Sequence, residues 1–270
     1  MRPWDSETVG QLGKASLSVG NCQGHNSRMS FAAPTHPQNP EGDPGADSAR
    51  ATARPPERAP GPDSAPHPRF TVGFDLDMTL VDSRPGIHRT YTALAEETGV
   101  PIDADLAVSR LGPPLEDELA CWFPPERVPA VADQYRALYV RLAIEPSLLL
   151  PGAAEAVETV RGLGGRSVVV TAKHAPNARL HMDHLGLRAD VLVGSLWAER
   201  KAEALREHTA GVYVGDHVGD VRGARAAGAV SVAVATGPCP ADELREAGAD
   251  VVLTDLTAFP DWLAGHLAGV

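Results

Sequence analysis

The stretch TVGFDLDMTLVDS, residues 71–83, decides how the rest of the chain is read. Thr71 to Phe74 are β-branched, apolar or small, which suits a strand buried on both faces. Asp75 and Asp77 follow, split by Leu76, with Thr79, Asp82 and Ser83 close behind. Side chains alternate across a strand, so continued strand geometry points both carboxylates the same way. Two acids side by side repel, and a cation between them is expected. An Asp pair alone also fits turn chemistry in a solvated loop. The remaining sequence must choose.

The 270 residues are of two kinds. Residues 1–69 carry 11 of the 24 prolines, with much Gly, Ser, Asp and Arg and almost no apolar periodicity. Such a segment cannot bury enough apolar surface to offset the entropy of ordering, and it reads as a disordered Pro/Gly-rich tail. Its first residues, MRPWDSETVGQLGK, hold no apolar run of signal-peptide length. The remaining 201 residues fit one large domain, or one domain with an insertion. A net charge of −11 argues against a nucleic-acid or acidic-membrane partner. Cys22, Cys121 and Cys239 have neither metal-ligand spacing nor a disulfide framework, so a reducing cytoplasm is expected. No apolar run approaches the ~20 residues of a membrane span.

Four helical segments are expected over residues 84–149, the longest carrying Val131, Tyr135, Leu138 and Leu142 on one stripe. No strand is expected there. From residue 150 the pattern changes to strands, such as RSVVV, GVYVG and AVSVAV, alternating with helices. That alternation predicts an α/β fold, a doubly wound parallel sheet with helices on both faces. The core is expected to comprise residues 70–83 and 150–270, with residues 84–149 as an inserted all-helical cap domain.

In open parallel sheets, ligands bind beyond the carboxyl ends of the strands. The residues expected at those ends are Asp75 and Asp77, then Thr171, Ala172 and Lys173, then Asp216 and Asp220, with Lys201 in a nearby helix. Acids, a hydroxyl and lysines on one rim suit phosphoryl transfer. Carboxylates, waters and a phosphate oxygen complete an Mg²⁺ shell. One carboxylate can attack phosphorus, and a second can move protons for the leaving oxygen and for water. Lysine, hydroxyl and backbone N–H groups steady the phosphoryl oxygens.

The ordered set DLDMTLVDS, VVVTAK, Lys201 and GDHVGD resembles the four motifs of the haloacid dehalogenase-like superfamily, over residues 70 to about 260. The helical insertion resembles the alpha-helical cap of its phosphoglycolate phosphatase-like branch. The resemblance implies Asp75 as nucleophile and Asp77 as general acid/base. It implies Mg²⁺ held by Asp75, the Asp77 carbonyl and Asp216, with Asp220 beside it, and phosphate held by Thr171 and Lys201. An acid at position 77 points to phosphate esters rather than carbon–halogen bonds, because a halide leaves without a proton. Two departures stand out: Ala172 replaces the common Asn after Thr171, and Ala202 replaces the common Pro after Lys201. Lys201 is preferred to Lys173 as the phosphate lysine by its place before GVYVGD.

Each aspartate alone would read as a turn or cap residue, and Lys201 alone as a solvated helix lysine. His217 reads as a rim residue, and His181 and His184 as surface histidines. In SRLGPPLEDEL, Gly112 and two prolines make a turn that could face substrate, with Arg110 available for a carboxylate or second phosphate. The expected function is a Mg²⁺-dependent phosphatase acting on a small phosphorylated metabolite. The alternatives are a sugar phosphomutase of the β-phosphoglucomutase type and a binding relative that has lost turnover.

Overall fold

Gly73 and the flanking Val72 and Phe74 are wholly enclosed in β1 (Thr71–Phe74), the central strand of the sheet. The computed structural model describes residues 68–269, which fall in one compact unit. The tail read over residues 1–69 therefore lies almost entirely outside the described residues.

After β1 come β2 (Val81–Asp82), α1 (Arg84–Thr98), α2 (Ala104–Ser109), α3 (Leu115–Leu119), α4 (Val128–Leu142) and β3 (Leu148–Leu149). Then follow α5 (Ala153–Gly162), β4 (Arg166–Val170), α6 (Ala175–His184), β5 (Val191–Val193), α7 (Lys201–Glu207) and β6 (Val212–Gly215). The chain ends with α8 (Val218–Ala227), β7 (Val230–Val234), α9 (Ala241–Glu246), β8 (Val251–Leu253) and α10 (Phe259–Ala268).

Six strands form one sheet in the order β5-β4-β1-β6-β7-β8, every pair parallel. The fold is α/β and doubly wound. Val72, Phe74 and Val169 pack on one face with Val157 of α5, Met182 of α6 and Phe259 of α10. Val168, Val170 and Tyr213 pack on the other with Leu205 of α7 and Ala224 of α8. Valines fill these strands because both faces are covered.

Helices α1–α4 hold an apolar cluster of their own, including Ile87, Tyr91, Leu94, Val131, Tyr135 and Leu138. The block is not wholly helical as expected. Its last residues form β3, which pairs antiparallel with β2, Val81 opposite Leu149. Two-residue strands are too short to show an alternating pattern, so only the tertiary pairing reveals them. Together they form a two-stranded neck where the chain leaves and re-enters the sheet domain. Among the described residues, no helix is long and apolar enough to cross a membrane.

Candidate active site

Because β1 lies between β4 and β6, the residues after these three strands meet at one rim. They are Asp75, Thr171 and Asp216, all buried. The chain then brings Lys201 from the start of α7 and Asp220 from the first turn of α8.

The two acids of the opening stretch do not continue strand geometry. Asp75 N–H still bonds the Val214 carbonyl at 2.8 Å, but Met78 turns into the left-handed region at φ 58°. Leu80 and Val81 N–H both return to the Leu76 carbonyl at 2.9 Å. Such a backbone is unusual for a side chain like methionine and persists only where its surroundings fix it. The two carboxylates meet different partners: each acid has its own lysine.

Asp75 faces Lys201. The Lys201 Nζ lies 3.2 Å from Asp75 Oδ1 and 2.6 Å from Asp220 Oδ1, and it donates to the Tyr213 hydroxyl at 2.8 Å. Lys201 is 0% exposed, which rules out a solvated helix lysine. Three buried carboxylates, Asp75, Asp216 and Asp220, bring ligand atoms within 4.8 Å of one another. Burial pushes Asp75 up to about 7; Lys201 opposes this, and the Asp220 and Asp77 charges add to it. Burial, with the charges of Asp220 and Asp75, raises Asp216 well above the ordinary carboxylate range.

Three acids against one lysine leave a buried negative excess, which a divalent cation would offset. Asp75 Oδ1 accepts no well-aligned hydrogen bond, despite the nearby lysine. Asp216 accepts one, from Thr79 Oγ1 at 2.8 Å. Asp220 is more fully engaged: Lys201 and Tyr213 reach its Oδ1, and His217 N–H reaches its Oδ2 at 3.1 Å. A carboxylate set of this kind fits a hard, oxygen-seeking cation. Gly237 is part of the fit, because a Cβ there would overlap the Asp216 carboxylate.

Asp77 faces Lys173, whose Nζ is 2.8 Å away, and it also accepts from Ser83 Oγ. Burial alone would raise Asp77. The Lys173 charge, aided by His181 and by hydrogen bonds from Lys173 and Ser83, outweighs burial and holds it below its ordinary value. Lys173 Nζ also donates to the Tyr139 hydroxyl at 2.6 Å, and that hydroxyl lies 2.7 Å from His181 Nε2. With Lys173 donating, the hydroxyl proton is left for His181, whose neutral ring accepts it. His181 is 0% exposed, correcting its reading as a surface residue, and burial lowers it to about 4. His184 is exposed as expected.

Asp75, Asp77, Thr171, Asp216 and Arg110 all line one cavity of about 370 Å³ between the sheet rim and helices α1–α4. Thr171 Oγ1 accepts from Lys173 N–H at 3.2 Å. Gly112 of the SRLGPPLEDEL turn seats close to the rings of His217 and Trp197. His217 is half-buried and caps α8, its Nδ1 accepting from Gly219 N–H at 3.0 Å.

The roles of Tyr139, His181, Thr79 and Gly237 were missed from the sequence. Thr79 stood inside the opening stretch, and Tyr139 lies one turn past Tyr135 on α4. Lys173 was noticed but not paired with Asp77.

Residues 72–234 match the family model of haloacid dehalogenase-like hydrolases, and the chain belongs to that family of enzymes. It is 32% identical to the tyrosine-protein kinase PtkA of Mycobacterium tuberculosis, over 72% of this chain and 71% of that one. It is 30% identical to a phosphoglycolate phosphatase of Chromobacterium violaceum, over 70% of this chain and 94% of the relative. Among solved structures, a haloacid dehalogenase-like family hydrolase of Streptococcus pneumoniae superposes with a TM-score of 0.64 at 25% identity, covering 73% of this chain and 98% of that one.

Proposed function

We propose that this chain is a Mg²⁺-dependent phosphatase that hydrolyses a small phosphate monoester through an aspartyl-phosphate. One observation carries the reading: two acids two residues apart, one buried and one partly exposed, face one cavity, each set by a different lysine. That division suits two chemical roles. The phosphatase-named relative supports the reaction class.

Asp75 attacks phosphorus, and the P–O bond to the alcohol breaks. Asp77 delivers the proton to the departing oxygen. Asp77 then takes a proton from water, whose oxygen attacks phosphorus and frees phosphate and the Asp75 carboxylate. At rest Lys173 favours ionised Asp77, the form that acts as base. A substrate phosphate offers Lys173 a second anion, and loosening its hold on Asp77 favours the protonated form. Thr171 and Lys201 steady the phosphoryl oxygens. Asp75, the Asp77 carbonyl and Asp216 would hold Mg²⁺, with Asp220 beside it fixing Lys201. The ion would polarise the phosphoryl oxygens and offset their charge.

Helices α1–α4 act as the cap, residues 84–149, over a core of residues 70–83 and 150–270, and Arg110 lines the cap side of the cavity. The working compartment is the cytoplasm, and neither nucleic acid nor membrane is a partner. In the test, phosphate release from p-nitrophenyl phosphate is followed with Mg²⁺ and with chelator. Turnover should need the metal and vanish in Asp75→Asn. Equal rates in chelator would sink the metal's role.

The 32% identity to a tyrosine-protein kinase supports a second reading. A tyrosine hydroxyl would take the place of water as acceptor of the phosphoryl group. ATP labelled on its terminal phosphate separates the two: label on protein tyrosine favours the kinase, and label in free phosphate favours the phosphatase.

A further inference from the structure

Resting on the phosphatase reading, we propose that the alcohol portion of the substrate is an uncharged, ring-bearing group rather than a short carboxylic acid. The first observation is charge pairing on the cap side of the cavity. Arg110 and Arg136 both line it, as do Glu116 and Glu118. Arg110 grips Glu118 through two bonds, Nη2 to Oε1 at 2.5 Å and Nε to Oε2 at 3.1 Å. The Trp122 indole N–H adds a third bond to Glu118 Oε1 at 2.9 Å. Arg136 pairs with Glu116 and, at 3.3 Å, with Asp133.

Both arginines are thus already neutralised by the chain's own acids. A carboxylate on the substrate would meet Glu116 and Glu118 as like charges. It would have to displace one of them, leaving a partly exposed acid without its partner. A neutral group meets no such cost.

The second observation is the shape and lining of the space. At about 370 Å³ the cavity is of the size that holds a small organic ligand. Its walls include Ile87, Leu115 and Trp197, and the rings of Tyr91 and Tyr135, whose centroids are 4.8 Å apart. Aromatic walls favour a ring placed edge-on or offset against them. Size, lining and charge pairing agree on the same kind of group.

Two inert phosphonates test this without turnover. The full-length protein with Mg²⁺ is titrated calorimetrically with 2-phenylethylphosphonate and with 3-phosphonopropionate, which differ only in the remote group. The ring compound should bind more tightly by about tenfold or more. Glu118→Gln removes the carboxylate charge beside Arg110 and should shift the preference toward the acid by about tenfold, with its melting curve confirming that it folds. Tighter binding of the acid by the unaltered protein, or binding of neither, overturns the inference. Phosphate release from benzyl phosphate and phosphoglycolate is measured alongside. If the ring phosphonate binds preferentially and no ester is hydrolysed, the phosphatase reading fails while the cavity's preference for an uncharged ring over a carboxylate stands.

Discussion

Lys173 Nζ lies 2.8 Å from Asp77 Oδ1 and 2.6 Å from the Tyr139 hydroxyl, so one lysine ties the acid of the β1 turn to helix α4 of the insertion. Tyr139 is tied in turn to His181 of α6 in the sheet domain. The proposed acid/base is thereby linked to the position of the helical insertion.

Lys173→Met should move the acidic limb of the kcat profile to higher pH. Lys173 is the main influence holding Asp77 below its ordinary value. Without it the carboxyl stays protonated to higher pH, and the base needed for water appears later. Tyr139→Phe keeps the Lys173–Asp77 pair and should shift the limb less. Coincident profiles for Lys173→Met and the unaltered enzyme would contradict this account.

Asp77→Asn should separate the two halves of the reaction. Loss of a general acid–base is commonly worth ~10²–10⁴-fold. p-Nitrophenolate departs without a proton, so phosphoryl transfer to Asp75 survives while hydrolysis stalls. Rapid mixing should show a burst of p-nitrophenol and then slow turnover, and mass spectrometry should find the phosphate on the peptide containing Asp75. A wild-type rate would remove Asp77 from the mechanism.

Lys201→Met should cost stability as well as activity. Lys201 sits between Asp75 and Asp220 with no exposure, and removing one partner of a buried ion pair typically costs about 3–5 kcal/mol. Urea unfolding in chelator measures the loss, and Mg²⁺ should recover part of it. An unchanged midpoint would mean that the carboxylates find another counter-charge.

Mg²⁺ should raise the melting temperature of the unaltered protein, since a ligand that binds only the folded state stabilises it by about 2.7 kcal/mol at 100 times Kd. Asp216→Asn should weaken the response. Gly237→Ala should do so too, because its methyl would displace the Asp216 carboxylate. A full response in both variants would place the ion elsewhere.

Much of the architecture was legible because it rests on local patterns. Runs such as Val168-Val169-Val170 read as buried strands, and the helical stripe of Val131, Tyr135 and Leu138 read as one packed face. The acids and lysines at the strand ends were legible for a related reason: parallel strands all deliver their last residues to one rim. The β2–β3 neck was not legible, because two residues per strand carry no period.

By itself, the sequence determined the α/β class, the helical insertion and the set of charged residues near the site. Only the tertiary structure decided which charge meets which. Asp75 and Asp77 are two residues apart, yet their carboxylates meet different lysines. Lys201 then reaches Asp75 across 126 positions of sequence because α7 packs on the sheet face formed by Val168, Val170 and Tyr213, and Lys173 reaches Asp77 because β4 lies beside β1. Pairing between buried charges depends on ångström-scale distances in a low-dielectric interior. Those distances are set by strand order and packing, which no local pattern of residue types encodes.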